Sequence, residues 1–286
     1  MYNMAKDVIL RALEEDGARA DITTLSIVEQ EQQAQGIIIA RTTGVIAGLH
    51  VAAEVFRTLD QRVSVELLLH DGASVQSAAV LARIHGPARA ILSAERVALN
   101  FLSRLCAIAT LTAYCVNAVA GTQVRILDTR KTTPGLRSLE KAAVRLGGGY
   151  NHRFGLSDGV LIKDNHIKVA GGIAQAVAAT RRLIPHLLKI EVECETLAEL
   201  QEALESGADV VLLDNMDVQA MQSAVELVRK CAPQVLIEAS GTIGTNTEKL
   251  AAVAATGVDF ISLGALTHSV PNFDVSLEFI THPVEE

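Results

Sequence analysis

From Val124 to Gly264 the chain repeats one rhythm: a short aliphatic run, a polar stop, a turn, and a helical pattern. The runs are VRILD (124–128), GVLIK (159–163), KIEVE (189–193), DVVLLD (209–214), VLIEAS (235–240) and DFISLG (259–264). Helical periodicity fills most of the gaps, as at 196–206, 217–230 and 246–256. Runs this short and apolar read as strands buried on both faces. Strands that alternate with helices imply parallel βαβ units with right-handed crossovers. Six of them are too few for a regular eight-stranded barrel. The spacing therefore predicts an incomplete, six-to-seven-stranded α/β barrel over 111–269, with an open doubly wound sheet as the alternative that periodicity alone leaves. Aromatic residues make up 3% of the chain and Trp is absent, so Ala, Val, Leu and Ile must fill this core.

The first part of the chain reads differently. Met4, Val8, Ile9 and Leu13 stand at helical spacing and stop near Gly17. β-like runs follow at 36–40 (GIIIA), 45–48 (VIAG), 65–69 (VELLL) and 80–84 (VLARI), interrupted by a helix at 49–59. Turn signals such as Asp71-Gly72 and Gly86-Pro87 separate the later runs. This predicts an α+β domain on an antiparallel sheet over residues 1–110. A long helical pattern then opens at Ser93, read as its N-cap, and runs to about Val119; Arg96 stands where a capping box would need Glu or Gln.

Between Arg125 and Lys168 stand nine Lys or Arg against four Asp or Glu, a net +5 inside a chain of −8. A cationic island in an acidic protein points to a pocket for a small anion with several carboxylates or phosphates, because the local field gathers anions while the exterior repels nucleic acid. Basic and aromatic residues are not interleaved, which also argues against a nucleic-acid surface. No uninterrupted apolar run reaches the roughly 18 residues of a membrane span. The N-terminus lacks a positive segment followed by an apolar one, and the four cysteines (106, 115, 194, 231) show no CxxC spacing. The expectation is a soluble, cytoplasmic protein in a reducing compartment, with no membrane and no nucleic acid as partner.

The polar residues fall where the runs end. Asp128-Thr129-Arg130-Lys131 follows the first, Lys163-Asp164-Asn165-His166 the second, Glu193 closes the third and Asp214-Asn215 the fourth. Ser240-Gly241 follows the fifth, and Gly264-Ala265 with His268 the sixth. Parallel strands in a barrel point these ends to one mouth, where barrel enzymes keep their sites. Small residues after the last two runs let backbone N–H groups approach an anion, which predicts a phosphate cradle. Glu193 and Asp214 face the cations as isolated carboxylates. They could hold ribose hydroxyls, coordinate Mg²⁺ or stabilise positive charge at a reacting carbon, or pair with Lys163 or Arg130 as an ion network. Gly147-Gly148-Gly149 has neither dinucleotide-fingerprint nor P-loop spacing and reads as a flexible turn that lets Asn151-His152-Arg153 fold over a ligand.

DTRKTTPGLR, LEKAAVRLGGGYNHRFGLSD, VLIKDNHI, IEVE, VLLDNM, IEASG and ISLGALTHSVPNFDVSL, together with EDGARADITT and SAERVALNFL, resemble quinolinate phosphoribosyltransferase across nearly the whole chain. The resemblance implies a sandwich-like α+β domain over 1–110, to which 270–286 returns, and an incomplete α/β barrel over 111–269. It implies a homodimer or higher homo-oligomer with a shared active site. It also implies transfer of phosphoribosyl from phosphoribosyl pyrophosphate to quinolinate with decarboxylation, giving nicotinate mononucleotide, pyrophosphate and CO₂ in NAD biosynthesis, with Mg²⁺. Carried over by motif, Thr129, Arg130, Lys131, His152, Arg153 and Lys163 would surround the substrates, and Arg96 would reach in from the partner chain. Glu193 and Asp214 would hold the ribose and the metal, directly or through bound phosphoribosyl pyrophosphate. Ser240, Gly241, Gly264 and Ala265 would take the 5′-phosphate, with His268 at that end. Lys131, Lys163, Glu193 and Asp214 are the expected catalytic residues. Departures from the family pattern are Cys106-Ala107 in place of Ser-Gly, no Gly before Asp21, and Thr242 in a longer loop after Ser240-Gly241. Competing readings are a Schiff-base barrel enzyme using Lys163, a non-catalytic quinolinate-binding subunit, and a paralogue found with molybdenum-transport genes; the intact Lys163–His166 segment speaks against the last.

Overall fold

The computed structural model describes residues 2–280, with side chains from Lys6 onward. The expected contribution of Met4 to the first helix, and residues 281–286, lie outside what is described. In chain order the first elements are α1 (Tyr2–Glu15), α2 (Ile22–Ile27), β1 (Gln33–Ala40), β2 (Gly44–Val45), α3 (Leu49–Leu59), β3 (Ser64–Leu67), β4 (Ser74–Val75), β5 (Val80–Pro87) and α4 (Ala88–Ala118). Next come β6 (Arg125–Leu127), α5 (Arg137–Leu146), β7 (Val160–Ile162), α6 (Asp164–Ala170), α7 (Ile173–Leu183), β8 (Ile190–Cys194) and α8 (Leu197–Glu205). The last are β9 (Val210–Asp214), α9 (Val218–Cys231), β10 (Leu236–Ser240), α10 (Thr247–Ala254), β11 (Phe260–Ser262), α11 (Ala265–His268) and β12 (Val275–Phe279).

Two compact units form. One gathers the described residues up to Ala113, Thr133–Gly148, and those from Val270 on; the other holds Tyr114–Thr132 and Gly149–Ser269. The first is built on an antiparallel sheet in the order β12-β1-β5-β3. Its central strand β1 carries the run GIIIA, and Ala40 pairs with Val275 of the returning β12. Ile38, Phe56, Leu81, Ile84, Leu102 and Phe273 are fully buried beside it. Here α4 starts at Ala88, five residues before the expected Ser93 cap. Pro87 ends β5 and sits where a missing N–H costs nothing, so strand passes directly into helix. Ser93 instead donates its hydroxyl to Asp21 Oδ2 (3.0 Å), and Asp21 caps α2 by accepting Thr24 N–H (3.0 Å). By length and composition α4 could cross a bilayer, but half of its apolar window lies inside the protein, where Leu102, Leu105 and Ile108 are core residues.

The second unit is a six-stranded sheet in the order β6-β11-β10-β9-β8-β7. All five pairings are parallel, as the alternating rhythm requires. No strand joins β6 to β7 among the described residues; Tyr150 instead makes a single parallel bridge to Leu127 on the open side of β6. This is the incomplete barrel expected from the count of strands. Of the expected segments VIAG (45–48) and VELLL (65–69), only Val45, in β2, and Val65–Leu67, in β3, are in strand.

Thr133–Gly148 was expected inside the barrel and belongs to the first unit. Glu140 explains the difference. It is fully buried, and its Oε1 accepts Arg104 Nε (3.1 Å) and Nη2 (2.9 Å) from α4. Its other oxygen accepts Thr133 N–H (3.1 Å). The triple glycine is likewise structural at its first two positions. A Cβ on Gly147 would meet Ala109 O and lie 2.7 Å from Thr112 Cβ, and Gly148 has φ +85°.

Candidate functional site

Every strand of the barrel ends on one cavity of about 580 Å³. Side chains alternate across a strand with period two, so β7, β9, β10 and β11 each offer the cavity two positions, the second at or just past the strand end, and β8 offers one. Lys163, Glu193, Asp214, Ser240 and Gly264 line it at the strand ends, and Leu161, Leu212, Glu238 and Ser262 line it two residues earlier. Strand register places them side by side: Glu238 pairs with Leu212 and Ser240 with Asp214. Thr129, Arg130 and Lys131 follow β6, and His152 and Arg153 follow the bridging Tyr150.

The buried Asp128 explains why the 150–153 segment lies there. Its Oδ1 accepts His152 N–H (2.9 Å) and its Oδ2 accepts Asn151 Nδ2 (2.6 Å), while its own N–H donates to Tyr150 O (3.1 Å). A carboxylate with no exposure thus pins a strandless segment beside β6. Arg125 stacks on the Tyr150 ring at 4.8 Å from its centroid. Arg153 Nη1 donates to Gly159 O (2.9 Å). Burial and the neighbouring Arg130 hold the Arg153 pKa below its ordinary value.

Cations and carboxylates meet at the mouth. Lys163 Nζ is ion-paired with Glu193, the pairing that the sequence left open beside a ligand role. Deeper in, His152 Nε2 lies 3.1 Å from Glu191 Oε2 and 3.6 Å from Glu238 Oε2. Its Nδ1 accepts Arg153 N–H (2.7 Å), which describes a neutral ring with its proton on Nε2. Burial works against a second proton, but the Glu191 hydrogen bond and the Glu238 charge outweigh it and raise the His152 pKa. An imidazolium would have to release the Arg153 bond. Burial first, and then the adjacent Glu191 carboxylate, push Glu238 up to about 8. One oxygen of each glutamate, Oε1, has no hydrogen-bond partner.

At the other end of the cavity, Gly241 has φ +100° and Gly264 is crowded: a Cβ there would lie 3.0 Å from both His268 Nε2 and Lys131 Cδ, which would have to give way. Thr267 Oγ1 donates to Lys131 O (2.7 Å), tying the β6 loop to α11. Thr242, noted as a departure from the family pattern, has no positive φ, so the backbone there accepts a side chain.

Of the residues singled out from sequence, Thr129, Arg130, Lys131, His152, Arg153, Lys163, Glu193, Asp214, Ser240, Gly241 and Gly264 line this cavity. Ala265 and His268 do not; they form α11 directly behind Gly264. Arg96 is exposed on α4 in the first unit. The cationic island divides: Arg130, Lys131, Arg153 and Lys163 face the cavity, Lys168 pairs with Asp164 (2.8 Å), and Arg137, Lys141 and Arg145 ride on α5 in the first unit. Asn215, read from sequence as part of the fourth polar stop, also lines the cavity, whereas Glu238, Ser262 and the two leucines were missed. The signal for them was the period of two, since each stands two places before a chosen residue, as in E-A-S (238–240) and S-L-G (262–264).

Family models describe the chain in two parts. Residues 21–106 match the N-terminal domain, and residues 108–278 the C-terminal domain, of quinolinate phosphoribosyl transferase. A probable nicotinate-nucleotide pyrophosphorylase [carboxylating] of Bacillus subtilis (strain 168) is 46% identical over 264 residues, covering 92% of this chain and 89% of that protein. The nicotinate-nucleotide pyrophosphorylase [carboxylating] of Mycobacterium leprae (strain TN) is 44% identical over 282 residues, covering 97% and 98%. The solved nicotinate-nucleotide pyrophosphorylase of Francisella tularensis superposes with a TM-score of 0.91 at 38% identity, covering 98% of this chain and 97% of that one.

Proposed function

The chain belongs to the quinolinate phosphoribosyl transferase family, and on that premise we propose how its cavity carries out the reaction. The protein transfers the phosphoribosyl group of phosphoribosyl pyrophosphate to quinolinate with decarboxylation, giving nicotinate mononucleotide, pyrophosphate and CO₂ in NAD biosynthesis. One observation carries the link to geometry: four cations and three acidic side chains from six different segments converge on a single cavity at the strand ends.

Quinolinate is a dianion and its co-substrate carries more charge still. Arg130 and Arg153 suit the planar carboxylates, which a guanidinium can grip with two hydrogen bonds, while Lys131 and Lys163 act as point charges. Ser240, Gly241 and Gly264 leave backbone N–H groups open to the 5′-phosphate. Glu193 and Asp214 lie on adjacent strands on the ribose side. As the bond from ribose C1 to pyrophosphate breaks, their negative charge favours the positive charge that develops at C1, and the pyridine nitrogen forms the new bond there. The alkylated ring then accepts the electron pair of the breaking ring–carboxylate bond, CO₂ leaves, and a proton replaces it. Positioning and fixed charge supply the rate, and no covalent nucleophile is needed.

Carboxylate oxygens from two neighbouring strand ends are the donor type that a hard divalent cation prefers. Glu193 and Asp214 therefore fit Mg²⁺, held directly or through the diphosphate. When bound, the ion would offset the charge of the departing pyrophosphate. Arg96, exposed on α4, is assigned to the site of a second copy in a homodimer or larger homo-oligomer. A cytoplasmic location belongs to the same proposal.

The test follows quinolinate consumption and nicotinate mononucleotide formation with phosphoribosyl pyrophosphate and Mg²⁺, beside a reaction in which nicotinate replaces quinolinate. Turnover with quinolinate alone is expected. No turnover with either substrate by the folded protein would overturn the reading.

A further inference from the structure

Asn215 lies at the rim of the cavity and makes bonds to two groups that the proposed function uses separately. Its Nδ2 donates to Asp214 Oδ2 (2.8 Å), and its Oδ1 accepts Thr242 N–H (3.0 Å). Its backbone N–H points to Ser240 O (3.3 Å). The network fixes the amide's orientation: a flipped amide would set NH₂ against the Thr242 N–H and its oxygen against a carboxylate, two repulsive contacts in place of two bonds.

The backbone is bent to allow this. Asn215 has φ +55°, one of two left-handed non-glycine residues among those described. Asn and Asp tolerate that conformation better than other side-chain-bearing residues. Opposite it, Gly241 has φ +100°, and a Cβ there would run into the Asn215 amide, 2.7 Å from Cγ and 2.8 Å from the backbone N. The amide therefore fills the space that a side chain at 241 would occupy. The far side of the loop is held too, because Lys249 Nζ donates to Thr242 O (2.5 Å).

We propose that Asn215 is a positioning residue that locks the end of β9 to the loop after β10, so that the carboxylate of Asp214 and the backbone cradle at Ser240–Gly241 keep one fixed spacing. It acts on the phosphoribosyl substrate alone, since that molecule must reach both groups at once while the pyridine substrate reaches neither. Because Thr242 N–H is committed to Asn215, the phosphate donors of this loop are the N–H groups before it. Thr242, the departure from the family pattern, lines the same cavity, with its backbone held from both sides. This inference rests on the proposed placing of ribose and 5′-phosphate.

Asn215→Gly and Asn215→Asp test it without backbone strain, because both residues accept φ +55°. Asn215→Gly loses both bonds; Asn215→Asp keeps an acceptor for Thr242 N–H but sets a second carboxylate against Asp214. Loss of both hydrogen bonds in Asn215→Gly, and of the Asp214 bond with added carboxylate repulsion in Asn215→Asp, should each raise KM for phosphoribosyl pyrophosphate at least about tenfold. KM for quinolinate should stay within about twofold, with melting unchanged. Calorimetric binding of phosphoribosyl pyrophosphate with Mg²⁺ to parent and variants reads the same coupling without turnover. A parent that binds this substrate but does not turn over quinolinate would sink the function and leave the coupling still measured. Equal affinity in parent and Asn215→Gly would overturn the inference. So would a parallel rise of both KM values with lowered melting, the mark of a merely structural residue.

Discussion

Charge at single residues sets the chemistry of the cavity. Lys163 and Glu193 are ion-paired, so Lys163 is oriented at the mouth by a carboxylate that the proposed function puts on the ribose side. Lys131 is held by its backbone, through Thr267, and its side chain crosses Gly264. If both ammonium groups act on the reacting charges, Lys131→Ala and Lys163→Ala should each lower turnover well beyond threefold. A residual rate within about threefold, a barrier change under roughly 0.7 kcal/mol, would remove them from the catalytic set. Glu238 makes a second, independent prediction. Its pKa is pushed up to about 8, above the 4.5 of an ordinary glutamate, so the folded chain holds a proton there that the unfolded chain releases. Stability from this group is therefore full below pH 4.5 and lost as pH rises through 8. Glu238→Gln keeps a neutral side chain at all pH values. Its melting temperature relative to the parent should climb steadily across that window, and a difference independent of pH would contradict the buried, protonated state.

At the scale of elements, the strand ends were legible because a polar residue that stops an aliphatic run has few other reasons to be there. Lys163, Glu193, Asp214 and Ser240 were all found that way. The layer beneath them was harder to read. Glu191 and Glu238 sit inside the apolar runs, and only the fold shows that Glu238 lines the cavity while Glu191 holds His152. Helix α5 was not legible as part of the first unit, because amphipathic periodicity says that a face is buried but not against what. Its partner is Arg104, 36 residues earlier on α4. Ser93 misled for a related reason: a good capping side chain was already committed to Asp21. The end of α5 carries a prediction of its own. Gly147→Ala would press a methyl group onto Ala109 O and to 2.7 Å from Thr112 Cβ. Overpacking of this kind costs about 1–3 kcal/mol, whereas Gly148→Ala, at φ +85°, meets the cost of a left-handed backbone, about 1 kcal/mol, and should lose less. Chemical denaturation of the two variants compares them directly, and equal midpoints would show that α5 can move away from α4.

For the whole molecule, a net charge of −8 surrounds a mouth lined by Arg130, Lys131, Arg153 and Lys163. Such a field draws polyanions into the cavity and weakens with added salt. The chain also carries Arg96 in the unit that does not contain the cavity. If Arg96 serves a second copy, the molecule that works is not one chain, and each site draws its parts from two. Arg96→Ala and Lys163→Ala would then be defects in different halves of a site. Each variant alone should be strongly impaired. When the two are unfolded, mixed in equal amounts and refolded, half of the resulting dimers contain one copy of each variant. Every such mixed dimer has one site with both defects and one with neither. A symmetric dimer should therefore recover about a quarter of the parent's activity, and refolding either variant by itself should recover none. Failure of the mixture to exceed its components, while the refolded parent is active, would mean that Arg96 and Lys163 act in the same site of one chain or that Arg96 has no part in it.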